Sequence, residues 1–451
     1  MDRRAFLRFA GSAAGLAAVG CGSESNKRGA TATTSGQRGG ERTLRIAQWS
    51  AAAAGLPTYD DWFDNQYTQR WGEQHGIRVA VDHFSIAELS WRAEAEVAAE
   101  AGHDIFSFSS PPASLEDHVI DHREMVDEVE AKLGKATPLM QRCIFNPKTG
   151  KFFGFPEFWT PQPVHYRVDL WDAVAPTSRP ATWEDIRLAG PSLLASGHSV
   201  GIGMSEHQES SLSLLALMHS YGASVQDAEG RMVLKSSATI EAVKVAMAIF
   251  KSAMSEDVFG WDAVANNRLL ASGKGALIIN GISAMRAVEA QDPALASKIG
   301  LRPMLQGPAG AWAPYFTGVS VIWKFAREPD LARQFLIDLA IRYREAFLHS
   351  DFYKVPAFPG AVPDMQALVA NDKRADPSGK YGFLAEATSW STNLGHPGHA
   401  NAAMEDVLNR HLIPRMFAMA VRGEKTAEEA VELAAAEAEP IFDKWRERGK
   451  I

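Results

Sequence analysis

Residues 150–174 read GKFFGFPEFWTPQPVHYRVDLWDAV, an aromatic and strand-like segment that three prolines interrupt. The prolines are Pro156, Pro161 and Pro163. Proline has no N–H to donate to a neighbouring strand, so it is rare in the middle of a sheet. The segment therefore predicts an edge strand or a crossing between two parts of the fold.

On both sides of this segment, stretches of alternating hydrophobicity take turns with stretches of helical periodicity. The stretches that read as strands are TLRIAQW, IRVAVDHF, DIFSFSS, HSVGIGMS and GALIIN. Those that read as helices are YDDWFDNQYTQRWGEQHG, LSWRAEAEVAAEAG, TIEAVKVAMAIFKSAM and most of the chain after residue 400. This regular alternation predicts an α/β fold built on doubly wound, mostly parallel sheets.

The composition is that of a large globular protein. With 451 residues, of which 46% are hydrophobic, the chain can form a substantial core and two or more lobes. The formal net charge of −8 and the absence of a dense Lys/Arg stripe argue against a nucleic-acid partner. Cys143 is the only cysteine besides Cys21, and we expect it to be a buried, inert thiol.

The first twenty residues, MDRRAFLRFAGSAAGLAAVG, have the basic start and short apolar run of an export signal. Arg3 and Arg4 resemble a twin-arginine motif, and AVGC at residues 18–21 resembles a bacterial lipobox, whose cysteine is acylated. Residues 21–42 have few apolar side chains and are expected to form a flexible linker. We therefore expect an exported protein that is lipid-anchored at Cys21. The alternative is an ordinary cleaved signal with an incidental cysteine.

Four segments together resemble the ABC-transporter extracellular solute-binding proteins of family 1, the sugar-binding family of maltose-binding protein. They are residues 154–186, 269–285, 321–340 and 422–442. In the first segment the matching positions are Tyr166, Asp169, Leu170, Pro180, Thr182, Trp183 and Glu184. The sequence departs from many relatives at Ile282, where they carry a tryptophan.

The resemblance implies an α/β two-lobe periplasmic-binding-protein fold (type II), with a cleft and a hinge between discontinuous lobes. The first lobe is expected to hold residues 43–158 and 300–322, and the second residues 159–299 and 323–451. Crossings between them are expected near 156–162, 298–304 and 319–326. A ligand would close the lobes, and the closed form would dock on the permease subunits of an importer. We expect a monomer that contacts the membrane only through its lipid anchor.

Ligands of open α/β sheets lie beyond the carboxyl ends of the strands, and sugars are held by aromatic rings and polar side chains. The strand ends, the crossing and the polar–aromatic loops select a set of candidate ligand-binding residues. They are Trp49, Ser50, Asp60, Ser109, Ser110, Glu157, Phe158, Trp159, Trp261, Asn266, Asn267, Asn280, Ser283, Tyr315, Thr317, Trp390, Asn393 and His396. Each tryptophan has core packing as its alternative role, and Asp60, Asn266 and Asn267 have helix capping or first-turn placement as theirs.

These residues favour a carbohydrate receptor that feeds an ABC importer without catalysis, cofactor or metal. His118 and His122 are spaced as metal ligands but lack a third, and Gly273-Lys274 lacks the rest of a phosphate-binding loop. No Gly-x-Ser-x-Gly motif is present. Two alternatives remain open at this stage: a binding protein for glycerol phosphate or a polyamine, and an anchored extracellular glycoside hydrolase.

Overall fold

The proline-rich segment of residues 150–174 joins two separate sheets in the computed structural model. The model describes residues 42–52, 55–175 and 179–451, and residues 42–451 belong to one compact unit. The predicted signal, the linker and Cys21 lie outside the described residues.

The described strands are short and are spread along most of the chain. They are β1 (Thr43–Trp49), β2 (Arg78–Phe84), β3 (Ile105–Phe108), β4 (Phe145–Asn146), β5 (Lys151–Phe152), β6 (Phe155–Thr160), β7 (Val164–Arg167), β8 (Ser199–Gly201), β9 (Gly275–Ile279), β10 (Ile299–Arg302), β11 (Ala313–Pro314), β12 (Phe316–Ile322), β13 (Val355–Pro356) and β14 (Ser391–Thr392).

Helices of varied length cover the sheets. They are α1 (Pro57–Trp62), α2 (Thr68–His75), α3 (Ile86–Ala99), α4 (Arg123–Leu133), α5 (Pro138–Ile144), α6 (Val168–Val174), α7 (Trp183–Ala195), α8 (Gln208–Ser220), α9 (Ser237–Ala253), α10 (Ala265–Ala271), α11 (Ser283–Gln291), α12 (Pro293–Ala296), α13 (Pro329–Ile341), α14 (Tyr343–His349), α15 (Met365–Ala370), α16 (Ala402–Asn409), α17 (Leu412–Val421) and α18 (Ala427–Glu447). A π-helical turn, Phe63–Tyr67, connects α1 to α2. No helix of the described ranges is long and apolar enough to span a bilayer.

The large sheet has the strand order β13-β6-β12-β3-β1-β2, and the small sheet the order β10-β7-β9-β8. Strands β2, β1 and β3 are mutually parallel, whereas β12 runs antiparallel to both β3 and β6, and β13 runs antiparallel to β6. In the small sheet only β8 and β9 are parallel. The α/β architecture is as predicted, but both sheets are mixed rather than mostly parallel.

The crossings explain the antiparallel strands. When the chain crosses from one sheet to the other, its next strand starts on the side that faces the first sheet. The parallel strands end on that same side, so the new strand runs antiparallel to them. β7 begins this way after residues 161–163, and β12 begins this way after residues 303–315. The third crossing, expected near 319–326, is wrong because residues 316–322 pair on both sides within the large sheet.

The chain after β12 stays beside the large sheet. Helix α13 packs on α4, α14 packs on α1, and β13 pairs with β6 through Val355 and Trp159. The sheet therefore includes residues 355–356, although the predicted boundary at 323 put them in the second lobe. The other predicted lobe boundaries, at residues 158/159 and 299/300, stay predictions.

Pro156 shows how β6 tolerates proline. It pairs with Val319 beside a register shift between Gly318 and Val319, at the point where the ladder of hydrogen bonds is already irregular. Gly318 is needed there because a Cβ at this position would overlap the ring of Phe158. The ring of Phe158 is buried and packs against Phe316, so it has little room to move.

We predict that Gly318→Ala lowers the free energy of unfolding by about 1–3 kcal/mol, the usual cost of overpacking a core. Denaturant unfolding measures the change. Gly382→Ala is the control, because a Cβ at Gly382 meets no atom within 4 Å. Equal stability of the two variants would contradict this packing.

Candidate functional site

A cavity of about 520 Å³ lies where the carboxyl ends of β1, β2 and β3 face segments of the small-sheet side. Its large-sheet wall is formed by residues that directly follow these three strands and by the start of α3. That wall consists of Ser50, Ser85, Ile86, Ala87, Leu89, Ser90, Phe108, Ser109 and Ser110. The opposite wall consists of Glu206, His207, Gln208, Glu209, Ser211, Leu212, Asp262, Ala263, Val264, Leu394, Leu408, Asn409 and His411.

The two walls differ in charge. The large-sheet wall is neutral and offers five serines beside apolar side chains. The small-sheet wall carries three carboxylates, from Glu206, Glu209 and Asp262, and two imidazoles, from His207 and His411. Neither a lysine nor an arginine is among the lining residues. The site is therefore rich in hydroxyl, amide and carboxylate groups and has no fixed positive charge.

Two hydrogen bonds join the walls. Ser109 Oγ donates to Gln208 Oε1 over 3.2 Å, and Gln208 Nε2 donates to the Ser109 carbonyl over 3.0 Å. Ser109 follows β3, and Gln208 is the first residue of α8. The Gln208 side chain therefore forms hydrogen bonds with both the hydroxyl and the backbone carbonyl of Ser109 on the opposite wall.

Glu209 is the most perturbed acid of the cavity. Burial, reinforced by the nearby charge of Asp262, raises the pKa of its carboxyl to about 7. Its position in the first turn of α8 favours the charged form, but burial outweighs this effect. Asp262 differs because an ion pair with Arg268, at 3.0 Å, lowers its pKa.

His411 lies at the turn between α16 and α17, with a positive φ of 51°. Its Nδ1 is buried and has no hydrogen-bond partner within the described ranges. Burial lowers the pKa of the imidazole, whereas the charge of Glu206 opposes this shift. The ring is thus a polar group with unused hydrogen-bonding capacity in the cavity wall.

Three of the residues predicted from sequence lie in this cavity: Ser50, Ser109 and Ser110. Asp60 lies outside the cavity lining and contacts the loop that carries Ser50. Its carboxylate accepts hydrogen bonds from Ser50 Oγ at 3.1 Å and from the backbone N–H groups of Ala51 and Ala52 at 3.1 and 2.9 Å. Asp60 therefore holds the loop after β1 in place and does not line the cavity.

Trp49, Phe158 and Glu157 surround a lysine of the chain itself. Lys354 is only 2% exposed, and its Nζ lies 4.9 Å from the centre of the Trp49 ring and 4.4 Å from that of Phe158. Burial lowers the pKa of this lysine to about 8, and the carboxylate charges of Glu157 and Asp60 oppose the shift. The aromatic cage that the sequence offered to a ligand thus holds an internal ammonium group.

Glu157 is further satisfied by serines within the large sheet. Its Oε1 accepts a hydrogen bond from Ser107 Oγ at 2.6 Å and another from Ser320. This oxygen of Glu157 is therefore occupied within the large sheet, and Glu157 does not line the cavity.

Trp159, Tyr315 and Thr317 belong to the core. Trp159 packs edge-on against Tyr315 at 5.7 Å, and Thr317 Oγ1 donates to the Phe158 carbonyl at 3.0 Å. The Tyr315 hydroxyl donates to the Leu139 carbonyl at 2.8 Å.

The Tyr315 hydroxyl also lies 2.7 Å from Cys143 Sγ. Cys143 is buried, and burial raises the pKa of its thiol to about 12, which confirms the predicted inert thiol.

Asn266, Asn267 and Asn280 form an amide cluster at the end of β9. Asn280 Nδ2 donates to the side-chain oxygens of Asn266 and Asn267 at 3.1 and 2.5 Å. Asn266 also donates to the Ile279 carbonyl at 3.2 Å. The cluster ties α10 to β9. Ser283, three residues after Asn280, is the first residue of α11. It is buried and does not line the cavity.

The remaining candidates pack outside the cavity. The Trp261 indole packs on Gly201 and is next to the lining residue Asp262. Trp390 packs on Phe383, and Asn393 Nδ2 donates to the Gly398 carbonyl at 2.9 Å. His396 stacks on Trp312, and burial lowers the pKa of its imidazole to about 4.

None of the residues of the small-sheet wall is among the candidates predicted from the sequence. The segment HSVGIGMS contains β8, and Glu206 to Glu209 follow it, so the strand-end rule would have found them. Ser85 follows β2 and is found by the same rule. Nothing in the sequence around Asn409 and His411 predicts that they line the cavity, because only tertiary packing brings their turn there. In the described ranges, no group of three or more side chains is arranged to hold a metal ion.

Comparison with solved structures identifies the fold. The maltose-bound MalE3 protein of T. maritima superimposes with a TM-score of 0.70 at 18% identity, covering 88% of this chain and 99% of the other. An ABC-transporter solute-binding protein from Thermotoga lettingae, bound to α-D-tagatose, gives 0.72 at 16% identity, covering 89% and 100%. A sugar transporter protein from Arthrobacter chlorophenolicus, with bound laminaribiose, gives 0.71 at 13% identity, covering 89% and 99%.

The chain has the periplasmic-binding-protein fold of ABC-transporter solute-binding proteins. The expected fold class is thereby confirmed. No protein-family model matches the sequence, and no curated protein matches it either.

Trp159 provides a test of its structural role. It is 2% exposed, so we predict that Trp159→Ala lowers the free energy of unfolding by about 3–5 kcal/mol, the cost of deleting a large core side chain. Thermal or denaturant unfolding measures this. Trp91→Ala is the control because Trp91 is 53% exposed, and it should change stability little. Unaltered stability of Trp159→Ala would return Trp159 to the candidate ligand residues.

Glu209 gives a pH-dependent signature of the free protein. Its pKa is raised on folding, so the folded state binds the proton more tightly than the unfolded chain. We predict that, relative to Glu209→Gln, the wild-type protein loses stability as the pH rises from about 4.5 towards 7, and then levels off. Unfolding curves of both proteins across this range measure the difference. A constant difference would show that the carboxyl is not buried as described.

Proposed function

We propose that this protein is the substrate-binding component of an ABC importer and captures a carbohydrate, a mono- or oligosaccharide, in the cavity between its two sheets. The observation that carries the proposal is the cavity itself. It lies at the carboxyl ends of β1, β2 and β3, is large enough for a sugar, and has walls that Ser109 and Gln208 connect.

The proposed mechanism is capture and closure without covalent chemistry. Hydroxyl groups of the solute would exchange hydrogen bonds with the serines of one wall and with Gln208 and Asn409 of the other. Because the chain crosses between the sheets at residues 161–163 and 303–315, rotation about these segments would open and close the cavity. The closed form would then deliver the solute to the permease subunits.

The lining residues argue against two of the alternatives. A glycerol phosphate site commonly uses arginine or lysine to meet the phosphate charge, and neither lines the cavity. The N-termini of α3 and α8 reach the cavity, but Glu206 and Glu209 beside the start of α8 would repel an anion there. A glycoside hydrolase needs two carboxyl groups on opposite sides of the scissile bond. All three carboxylates of the cavity come from the small-sheet wall.

We further propose that the protein is exported and is anchored by acylation of Cys21, with residues 21–42 as the linker and the folded part acting as a monomer. The support for the anchor is the sequence pattern of residues 1–21. The proposed partners are the permease subunits in the same membrane, without a nucleic acid, cofactor or metal.

The proposed solute class is tested with a thermal-shift panel of maltose, laminaribiose, tagatose, ribitol and glycerol phosphate, followed by calorimetry of each compound that binds. A ligand that binds only the folded state raises the melting temperature, and we expect at least one sugar or polyol to do so. Hydrolysis products in the panel, or stabilisation by glycerol phosphate alone, would contradict the proposal.

Gln208→Ala tests the contact between the walls. Loss of its two hydrogen bonds should weaken the affinity for the sugar by about 3- to 30-fold, with a small effect on stability. Calorimetry measures the affinity. Gln366→Ala, an exposed position on α15, is the matched control and should bind like the wild type. Equal affinities of both variants would remove Gln208 from the site.

Cys21→Ser tests the anchor in a bacterial host. The wild-type protein should incorporate labelled fatty acid and sediment with membranes, whereas the variant should incorporate none and appear in the soluble fraction. Lipid labelling that persists in Cys21→Ser would contradict the assignment of Cys21.

A further inference from the structure

The cavity contains an acidic wall, formed by Glu206, Glu209 and Asp262, that faces a wall of serines. We propose that the natural solute is a sugar or polyol bearing a positively charged amino group, and that Glu209 binds this group. This inference rests on the proposed function and names the chemical class of its solute.

Charge balance in the cavity supports this class. The lining includes three carboxylates and neither a lysine nor an arginine. Arg268 pairs with Asp262 from outside the lining, so one of the three carboxylates is already balanced. Among the residues that the structure describes, Glu206 and Glu209 form no ion pair. Glu206 and Asp262 are exposed to solvent, whereas Glu209 is half-buried, so a cation in the solute would gain most by pairing with Glu209.

Glu209 is half-buried in the cavity wall and differs in its contacts from the buried acids Asp60 and Glu157. Asp60 accepts three hydrogen bonds, two of them from backbone N–H groups, and Glu157 accepts two from serines. Within the described ranges, the Glu209 carboxylate meets only its own backbone N–H. Buried carboxylates are ordinarily paired or multiply hydrogen-bonded. Glu209 therefore has unused acceptor capacity beside the cavity.

The neighbours of Glu209 do not provide a substitute cation. Asp262 and Tyr353 are the titratable groups coupled to it, and Glu206, His207 and His411 share its wall. The opposing wall offers only neutral groups. His411 cannot serve as a stable counterion because burial lowers the pKa of its imidazole.

The opposing wall suits the remainder of such a solute. Ser85, Ser90, Ser109 and Ser110 present hydroxyl groups, while Phe108 offers a ring for the C–H face of a sugar. An unsubstituted polyamine would use the acidic wall but has no hydroxyl groups to offer to the serine wall. An amino sugar matches both walls.

The experiment compares solutes that differ only in the amino group. Calorimetry at pH 7 measures binding of glucosamine against glucose, galactosamine against galactose, and the β-1,4 glucosamine disaccharide against cellobiose, with spermidine as a cation that has no sugar ring. We expect at least one amino sugar to bind at least tenfold more tightly than its neutral counterpart. Glu209→Gln should reduce that preference to threefold or less, whereas Glu241→Gln, an exposed position on α9, should preserve it.

Release of the Glu209 proton on ligand binding gives a second measurement. It would not occur if Glu209 only supported the structure of the cavity wall. At pH 6 Glu209 is mostly protonated, so binding of an ammonium group should expel its proton into the buffer. The binding enthalpies measured in phosphate and in Bis-Tris should then differ by more for the wild type than for Glu209→Gln. The variant retains the histidines, which isolates the contribution of Glu209.

The inference is overturned if no amino sugar binds more tightly than its neutral counterpart, or if Glu209→Gln keeps the preference and the proton release. Binding of neutral sugars alone overturns the inference and leaves the proposed function standing. Binding of spermidine without any sugar overturns both.

Discussion

The structure depends on one constraint: the chain passes between two sheets at the edges where they face each other. A strand that enters from the other sheet starts at that edge, and the parallel strands β1, β2 and β3 end there. Loops and crossings therefore meet in one place, and the space between them is the cavity. The short segment of residues 161–163, which contains two prolines, is one of these crossings. Its sequence cannot continue a sheet, so the fold changes sheet there.

The chemistry of the cavity follows from which strand ends supply each wall. The ends of β1, β2 and β3 bring serines that are held by capping and loop contacts, as Ser50 is by Asp60 and Ser85 by Glu88. The segment after β8 brings acids and an amide that begin α8. The result is a neutral hydroxyl wall opposite an acidic one. The proposed hydroxyl-bearing solute fits this combination, because the lining offers neither a lysine nor an arginine to a phosphate or a carboxylate.

The sequence predicts the architecture better than it predicts the site. Periodicity predicts the helix around Trp62, Phe63, Tyr67 and Trp71, and all four side chains are buried in the structure. Strand-end reasoning finds Ser50, Ser109 and Ser110 because their positions depend on local order alone.

The aromatic candidates show why the rest could not be predicted. Trp49 and Phe158 follow the same strand-end and crossing logic, but Lys354, which is distant from both in sequence, places its ammonium group against their rings. Only the pairing of β13 with β6 brings Lys354 there. Likewise, the amides of Asn266, Asn267 and Asn280 satisfy one another, which no spacing in the sequence reveals.

A crystal structure with the bound solute tests the central claim most directly. Density for the solute should lie between the serine wall and the acidic wall, within hydrogen-bond distance of Ser109, Gln208 or Glu209. Density elsewhere would contradict the assignment of the site. Displacement of Lys354 from between Trp49 and Phe158 by the solute would do so most clearly.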